Sequence, residues 1–146
     1  MLDKIQELRE ATGAGVMECK RALEATSGDF EAAKKYIQEL GLALAQKKQD
    51  RKTGAGLLES YIHNGRIGVL LELRTETDFV VRSPIFKNLT HELAMQISAM
   101  APTDIKEFLA QPYIKDESMT IEQLIKQVIA KVGENIQIER FCRYEI

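Results

Sequence analysis

The chain has 146 residues, room for one ordinary domain or two small ones, and its apolar content of 45% is typical of proteins that bury a core. Its 20 basic and 22 acidic residues give a net charge of -2, without the basic excess that neutralising many phosphates requires, so we do not expect nucleic acid as a partner. The N-terminus lacks an apolar signal core and no apolar run approaches the ~20 residues that span a bilayer, so we expect an intracellular protein without a membrane partner.

Residues 1–45 predict three short helices, because apolar residues recur there at helical spacing between small turns. The first turn is Gly-Ala-Gly at residues 13–15, while Gly28 and Asp29 supply a left-handed helix end and the next N-cap. Such helices build only a small core, comparable to that of a ubiquitin-associated module. The predicted buried faces are Leu2, Ile5, Leu8 and Thr12 in the first helix, Val16, Cys19 and Leu23 in the second, and Ala33, Ile37 and Leu40, up to Gly41, in the third.

A solvated linker is predicted at residues 46–56, QKKQDRKTGAG, which lose the apolar period and finish in a glycine-rich stretch. We place the domain boundary there. The helical module then occupies residues 1–45 and a second domain occupies residues 57–146.

A β-hairpin is predicted from residues 57–63 and 66–75, because Asn64-Gly65 between them readily supplies the positive φ angles of a two-residue turn. The two-residue turn and the alternation of apolar residues in the two strands favour the same register, which pairs His63 with Arg66. That pairing would place six apolar side chains on one face: Leu58, Ile62, Ile67, Val69, Leu71 and Leu73.

The remainder predicts two helices and a third strand. Ser83-Pro84 marks the start of one helix, closed by Pro102, and Thr120 with Gln123 forms the capping box of another, which Gly133 ends. Residues 136–144 are rich in β-branched and aromatic side chains, as a strand would be. The predicted fold class is therefore α+β: a three-helix, ubiquitin-associated-like module followed by a small antiparallel sheet packed with helices. The buried face of the first of these helices is predicted to be Phe86, Leu89, Leu93 and Ile97.

Between the hairpin and the Pro84 helix, residues 75–82 place three consecutive apolar residues, 79–81, beside the acid Asp78. They can anchor the loop in the chain's own core. Alternatively, Phe79 projects as an exposed wedge, worth about 1.5–3 kcal/mol when buried in a partner's pocket, or one to two powers of ten in affinity. The residues alone leave both possibilities open.

Three segments, in order along the chain, resemble signatures of the elongation factor Ts family. They are residues 8–23 (LREATGAGVMECKRAL), residues 72–80 (ELRTETDFV) and residues 133–145, where GENI and RFCRYE carry the resemblance. Ordered matches over nearly the whole chain are far more specific than any one of them.

The resemblance implies a guanine-nucleotide exchange factor that promotes GDP release from the GTPase elongation factor Tu, without catalytic residues of its own. In such a factor an Asp-Phe wedge enters the GTPase close to its magnesium and phosphate site. The implied wedge residues are Thr77, Asp78, Phe79 and Val80. The implied docking residues of the helical module are Arg9, Val16 and Met17. The residues alone favour Val16 as core and Met17, which lies off the predicted buried face, as the better contact.

This chain departs from the family pattern in two ways. Arg74 stands where Asn is common, Thr75 where Cys or Ser is common, and Val81 where Ala is favoured. The chain is also too short for the second core half and the helical protrusion of longer members. Because a three-stranded sheet leaves a face or edge uncovered, we predict a homodimer through the second domain.

Other chemistry is not expected. Cys19 and Cys142 are too few for a metal site or a disulfide framework, so we predict no metal or other cofactor. In the dimer Cys142 could approach its symmetry mate, which leaves an intersubunit disulfide open, but we predict free thiols, with that of Cys142 buried or half-buried. One alternative function is a partner-binding module without exchange activity. Another is an enzyme that uses Glu76 and Asp78 as an acid pair, although a solvent-facing loop offers no obvious way to give them different protonation states. The expected location is the cytoplasm, or an organelle after removal of a targeting segment.

Overall fold

Three helices form the N-terminal part of the computed structural model, which describes all of residues 1–146: α1 (Leu2–Thr12), α2 (Val16–Ala25) and α3 (Phe30–Lys48). Gly13 ends α1 at φ 73° and Gly28 follows α2 at φ 80°, both in the left-handed region that glycine adopts without strain. Asp29 caps α3 by accepting a hydrogen bond from the Ala32 N–H at 3.0 Å. These predicted turns and caps are confirmed.

The helical part has a hydrophobic cluster of its own, formed by Ile5, Leu8, Cys19, Ala22, Leu23, Ala33 and Ile37. Four residues that the pattern places on buried faces lie outside this cluster: Leu2 is 82% exposed, Val16 47% and Leu40 37%, and Thr12 is only partly buried. Leu2 and Val16 each occupy the first residue of a helix, beyond the reach of a cluster this small.

Helix α3 continues past Gly41 to Lys48, because its second half packs against α7 (Ile121–Val132). A Cβ at Gly41 would lie 3.4 Å from the Cβ of Ala130, so this glycine marks a close approach of two helices and not a helix end. The predicted apolar stripe of this helix ends at Gly41, whereas the buried face of the helix continues to Ala45. Since strand β1 already begins at Ala55, the irregular connection covers residues 49–54, less than the predicted linker of residues 46–56.

The predicted hairpin is present as β1 (Ala55–His63) and β2 (Ile67–Thr75). Asn64 and Gly65 adopt φ angles of 52° and 66°, and the Arg66 N–H donates a hydrogen bond to the His63 carbonyl oxygen at 3.0 Å. The turn chemistry is therefore as predicted.

The predicted register of the hairpin is wrong by one residue, because His63 lies opposite Ile67 and not Arg66. A slip of one residue moves a strand's side chains to the other face of the sheet. Leu58 and Ile62 thus lie outside, 59% and 66% exposed. Their place on the inner face is taken by Leu57 and Tyr61, which pack against the main hydrophobic cluster.

The third strand, β5 (Ile136–Glu145), pairs antiparallel with β2 and gives the sheet order β1-β2-β5. A bulge interrupts this pairing between Glu72 and Leu73. The inner face is covered by α7 and by α5 (Pro84–Met100), with the short helix α4 (Asp78–Val81) between β2 and α5. The Ser83 cap of α5 and the capping box of α7 are confirmed.

The sequence patterns do not predict four elements: α4, which lies in the segment predicted as a loop, α6 (Ile105–Ala110), β3 (Pro112–Tyr113) and β4 (Asp116–Thr120). Together the helices and the sheet enclose the main cluster, whose fully buried members include Leu71, Leu73, Phe86, Leu93, Ile97, Phe108 and Ile121. The α+β class is confirmed. None of the helices combines the length and apolarity that crossing a membrane requires.

Candidate functional site

The predicted wedge residues, which we call the wedge segment (residues 77–80), lie where β2 gives way to α4. Phe79 is 81% exposed and Asp78 is exposed beside it, whereas Val80 is only 5% exposed and belongs to the main cluster. Thr77 is the N-cap of α4, its hydroxyl oxygen accepting a hydrogen bond from the Val80 N–H at 3.4 Å. The segment thus displays an aromatic ring on a turn that a buried neighbour anchors.

Glu134, which the sequence reasoning does not single out, holds the start of this segment. Its Oε1 accepts a hydrogen bond from the Thr77 N–H at 2.9 Å, and its Oε2 accepts one from the Thr77 hydroxyl at 2.7 Å. The hydroxyl of Thr75, which is fully buried, lies 3.2 Å from Oε1 of Glu134 and donates to the Asn135 carbonyl oxygen at 2.9 Å. The only sequence signal for Glu134 is its place in the GENI segment, which says nothing about the loop it contacts.

Asn135 joins the same loop to the connection between α3 and β1. Its backbone N–H donates to Glu76 Oε2 at 2.8 Å, and its buried side-chain amide donates to the carbonyl oxygens of Gln49 at 3.2 Å and Arg51 at 2.9 Å. Arg51 also lies 3.7 Å from the Glu76 carboxylate. Glu76 is therefore engaged in structural contacts while Asp78 faces solvent, an arrangement that does not favour an acid pair.

On the helical module, the predicted docking residues Arg9, Val16 and Met17 are all exposed. Val16 is 47% exposed and Met17 58%, so the placement of Val16 in the core is wrong. Val16 and Arg9 line a shallow groove together with Leu2. The module therefore presents apolar side chains beside a positive charge on one surface.

The outer face of the sheet carries a second group of exposed apolar side chains. Its members are Leu58, Ile62 and Leu70, which are 59%, 66% and 45% exposed, with Tyr144, which is 76% exposed, and the thiol of Cys142. The exposure of Cys142 contradicts the prediction of a buried or half-buried thiol, since β5 turns this residue outward opposite Leu70. Cys19 is buried in the helical module, and this burial raises the pKa of its thiol.

One acid interrupts this apolar face. Glu72 accepts hydrogen bonds from Arg140 Nε at 2.8 Å and from Arg74 Nε at 2.6 Å. These two guanidinium groups, Arg140 first, hold the pKa of the Glu72 carboxyl below its usual range. Arg74, one of the departures from the family pattern, thus has a partner on its own strand.

Comparisons with known proteins give a consistent result. A family model described as Elongation factor TS matches residues 76–146. A protein of Nostoc sp. named Elongation factor Ts is 46% identical over 97% of this chain, which spans 45% of that relative's length. Proteins of the same name from Synechocystis sp. and Coprothermobacter proteolyticus are each 40% identical over 97% of the chain, which spans 87% and 95% of their lengths. These two matches extend over 189 and 188 aligned positions, more than the chain has residues, so both relatives contain segments without a counterpart here.

Proposed function

The chain belongs to the elongation factor Ts family, a family of translation elongation factors, and from this premise we propose that it promotes release of GDP from elongation factor Tu. The observation that carries the proposal is the exposed ring of Phe79, held on a helix that the buried Val80 anchors. An apolar ring of this size in water has a strong tendency to enter an apolar pocket, and removing it from water is worth about 1.5–3 kcal/mol.

The action we propose is mechanical and electrostatic. A bound guanine nucleotide is held by contacts to its phosphates and by a divalent cation, the largest local charge in such a site. Asp78 and Phe79, entering between the elements that position this cation, would shift those elements and weaken the whole nucleotide site. No catalytic group of the factor is needed.

Reciprocity follows from thermodynamics. If binding of the wedge lowers the affinity of elongation factor Tu for GDP by a certain factor, binding of GDP lowers the affinity of elongation factor Tu for the wedge by the same factor. A nucleotide in excess can therefore displace the exchange factor and complete the cycle. The protein would work where translation takes place, in the cytoplasm or inside an organelle.

We propose that the helical module provides a second contact with the same GTPase. The separate hydrophobic cluster of the helices supports a module distinct from the domain at residues 57–146, although the boundary proposed after residue 45 falls within α3, whose Ala45 belongs to the main cluster. Met17 and Val16 are exposed and offer adaptable apolar contacts, and Arg9, which lines a groove together with Val16, offers a positive charge to an acidic partner residue. Binding at two linked sites raises the effective concentration of the wedge at its target.

We further propose that two copies pair through the outer face of the sheet. Leu58, Ile62, Leu70 and Tyr144 form an apolar group that nothing in the single chain covers. A twofold axis near Leu70 and Cys142, which are paired residues of neighbouring strands, would bring the same apolar surface of two copies together. The pairing would bury side chains that are costly to leave in water.

A nucleotide-release assay tests the exchange function. Elongation factor Tu is loaded with a fluorescent GDP analogue, and release is followed in excess unlabelled GDP while the concentration of this protein is varied. We expect the release rate to rise with that concentration and to saturate. Binding measured by calorimetry without any acceleration of release would instead support the alternative, a partner-binding module without exchange activity.

A further inference from the structure

Helix α4 has only four residues, and a single isolated helical turn is not stable in water. Its order must come from contacts with the rest of the protein. Within the helix only the side chain of Val80 is buried, while Asp78 and Phe79 are exposed. Val80 and the partly buried Val81 anchor the helix in the main cluster, so contacts at its start are what can further restrict the positions that Phe79 samples.

The carboxylate of Glu134 makes those contacts. It accepts hydrogen bonds from both the N–H and the hydroxyl of Thr77, at 2.9 Å and 2.7 Å. Because the Thr77 hydroxyl gives its proton to Glu134, its oxygen lone pairs are free to accept from the Val80 N–H, at 3.4 Å. Glu134 thus fixes the cap residue and, through it, the first turn of α4.

Glu134 is itself rigidly placed. Gly133 before it ends α7 in the left-handed conformation, with its N–H bonded to the Ile129 carbonyl oxygen at 2.8 Å. Asn135 after it is 2% exposed and bonded to Glu76 and to the chain around Gln49 and Arg51. Because the residues on both sides of Glu134 are held, the point from which its side chain reaches Thr77 is fixed.

We propose that Glu134 is a positioning residue for the wedge, one that orders residues 77–80 before the partner is met. The ordering of the wedge segment by Glu134 does not depend on the proposed exchange function, whereas the effect of that ordering on partner binding rests on it. A wedge whose backbone is ordered in the free protein loses less conformational entropy on binding. If only a fraction of molecules held the wedge in its competent form, the apparent affinity for the partner would fall by that fraction.

Amide hydrogen exchange in the free protein tests the structural content. The Val81 N–H donates to the Thr77 carbonyl oxygen at 3.3 Å and the Arg82 N–H to that of Asp78 at 3.1 Å, so both report on α4. Replacing Glu134 with Ala is expected to speed their exchange about tenfold, the effect of losing charge-assisted hydrogen bonds at a partly exposed site. Glu139, exposed on β5, provides the matched control, and E139A is expected to leave both amides unchanged. Equal exchange in E134A and E139A would overturn the proposal.

Two further variants separate geometry from charge. E134D keeps the charge but is one methylene shorter, so it is expected to reproduce the loss seen in E134A. E134Q keeps an oxygen that can accept from the Thr77 N–H and an amide that can donate to the Thr77 hydroxyl, so it is expected to restore most of the protection. Circular dichroism confirms that each variant is folded. If E134Q were as unprotected as E134A, hydrogen-bonding geometry would not be what orders the wedge, and the proposal would fail.

The nucleotide-release assay tests the consequence. With E134A, the concentration that gives half of the maximal release rate is expected to rise about tenfold while the maximal rate stays the same, because the wedge still becomes ordered once bound. A lowered maximal rate with an unchanged half-point would overturn positioning, since it would mean that Glu134 acts in the bound complex. If the unaltered protein released no nucleotide, the exchange function would fail, and hydrogen exchange would still decide whether Glu134 orders the wedge.

Discussion

Phe79 and Val80 are adjacent in the chain and occupy opposite environments, the first 81% exposed and the second 5% exposed. The difference arises because α4 turns Val80 into the main hydrophobic cluster and leaves the preceding ring in water. One residue therefore anchors the turn while its neighbour is available to a partner.

This pair predicts two separable phenotypes. Replacing Phe79 with Ala should lower the exchange rate constant at limiting concentration by one to two powers of ten, with a change in unfolding free energy within about 0.5 kcal/mol. Replacing Val80 with Ala should instead lower the unfolding free energy by about 1–3 kcal/mol, because it opens space in the core. Urea unfolding and nucleotide release measured on both variants check this. A strongly destabilised F79A protein would contradict the exposed placement of the ring.

Substitution of an exposed docking residue of the helical module should change the affinity for elongation factor Tu without changing the stability of the fold. Met17 is 58% exposed, so its replacement with Ala should weaken binding to elongation factor Tu about tenfold, as expected for an apolar side chain that a partner buries. Titration calorimetry gives the affinity. Tyr36, 41% exposed on α3, serves as the control, and Y36A should bind normally. Equal affinities for the two variants would place the docking surface elsewhere.

The outer sheet face predicts a change in oligomeric state. Replacing Leu70 with Glu puts a charge in the middle of the proposed interface and should convert dimers to monomers, because a buried unpaired charge costs several kcal/mol. Light scattering at tens of micromolar measures the mass. Ile114, 42% exposed between β3 and β4, is the control position, and I114E should remain dimeric. A monomeric unaltered protein would rule out the pairing.

The ion pairs of Glu72 predict how stability depends on pH. Hydrogen bonds from Arg140 and Arg74 lower the pKa of this carboxyl in the folded state, below the ordinary value of 4.5. A lowered folded pKa means that the contribution is fully present above the unfolded value and is lost as the pH falls through the folded one. The stability advantage of the unaltered protein over E72Q should therefore shrink as the pH falls below 4.5. Urea midpoints across this range measure it, and a constant difference would speak against the ion pairs.

The close approach of α3 and α7 at Gly41 should limit the size of the side chain that position 41 can hold. An Ala at this position fits at ordinary contact distance from Ala130 and removes the helix-weakening effect of glycine, so it should raise the unfolding free energy by up to about 1 kcal/mol. Leu at the same position would overpack the contact and should cost about 1–3 kcal/mol. Thermal unfolding compares the two. Similar stability for G41A and G41L would mean that the helices are not tightly packed there.

The sequence predicts features of this fold best where one or two neighbouring residues determine them. The capping box of Thr120 and Gln123, the Ser83-Pro84 helix start and the Asn64-Gly65 turn all follow from local hydrogen bonding and allowed backbone angles. The start of α6 offers a similar cue, since Asp104 accepts from the Glu107 N–H at 2.7 Å, but a six-residue helix has too little periodicity to stand out.

The features that the sequence predicts wrongly or misses depend instead on contacts between distant parts of the chain. The hairpin register depends on which side of β1 packs better over α5, and Tyr61 with Leu57 outweighs the pair Leu58 and Ile62. The extension of α3 depends on Ala130, far along the chain. The role of Glu134 depends on a contact with Thr77 that no local pattern encodes.

Helix α3 contributes to both hydrophobic clusters, Ile37 to that of the module and Ala45 to the main one. As one uninterrupted helix of 19 residues it spans about 28 Å, with each residue adding a rotation of about 100°. Because it packs into both clusters, this helix fixes the spacing and orientation of the helical module relative to the sheet domain. On the proposed function, elongation factor Tu must present its two receiving sites at the matching spacing, so the geometry of this chain would contribute to the choice of partner.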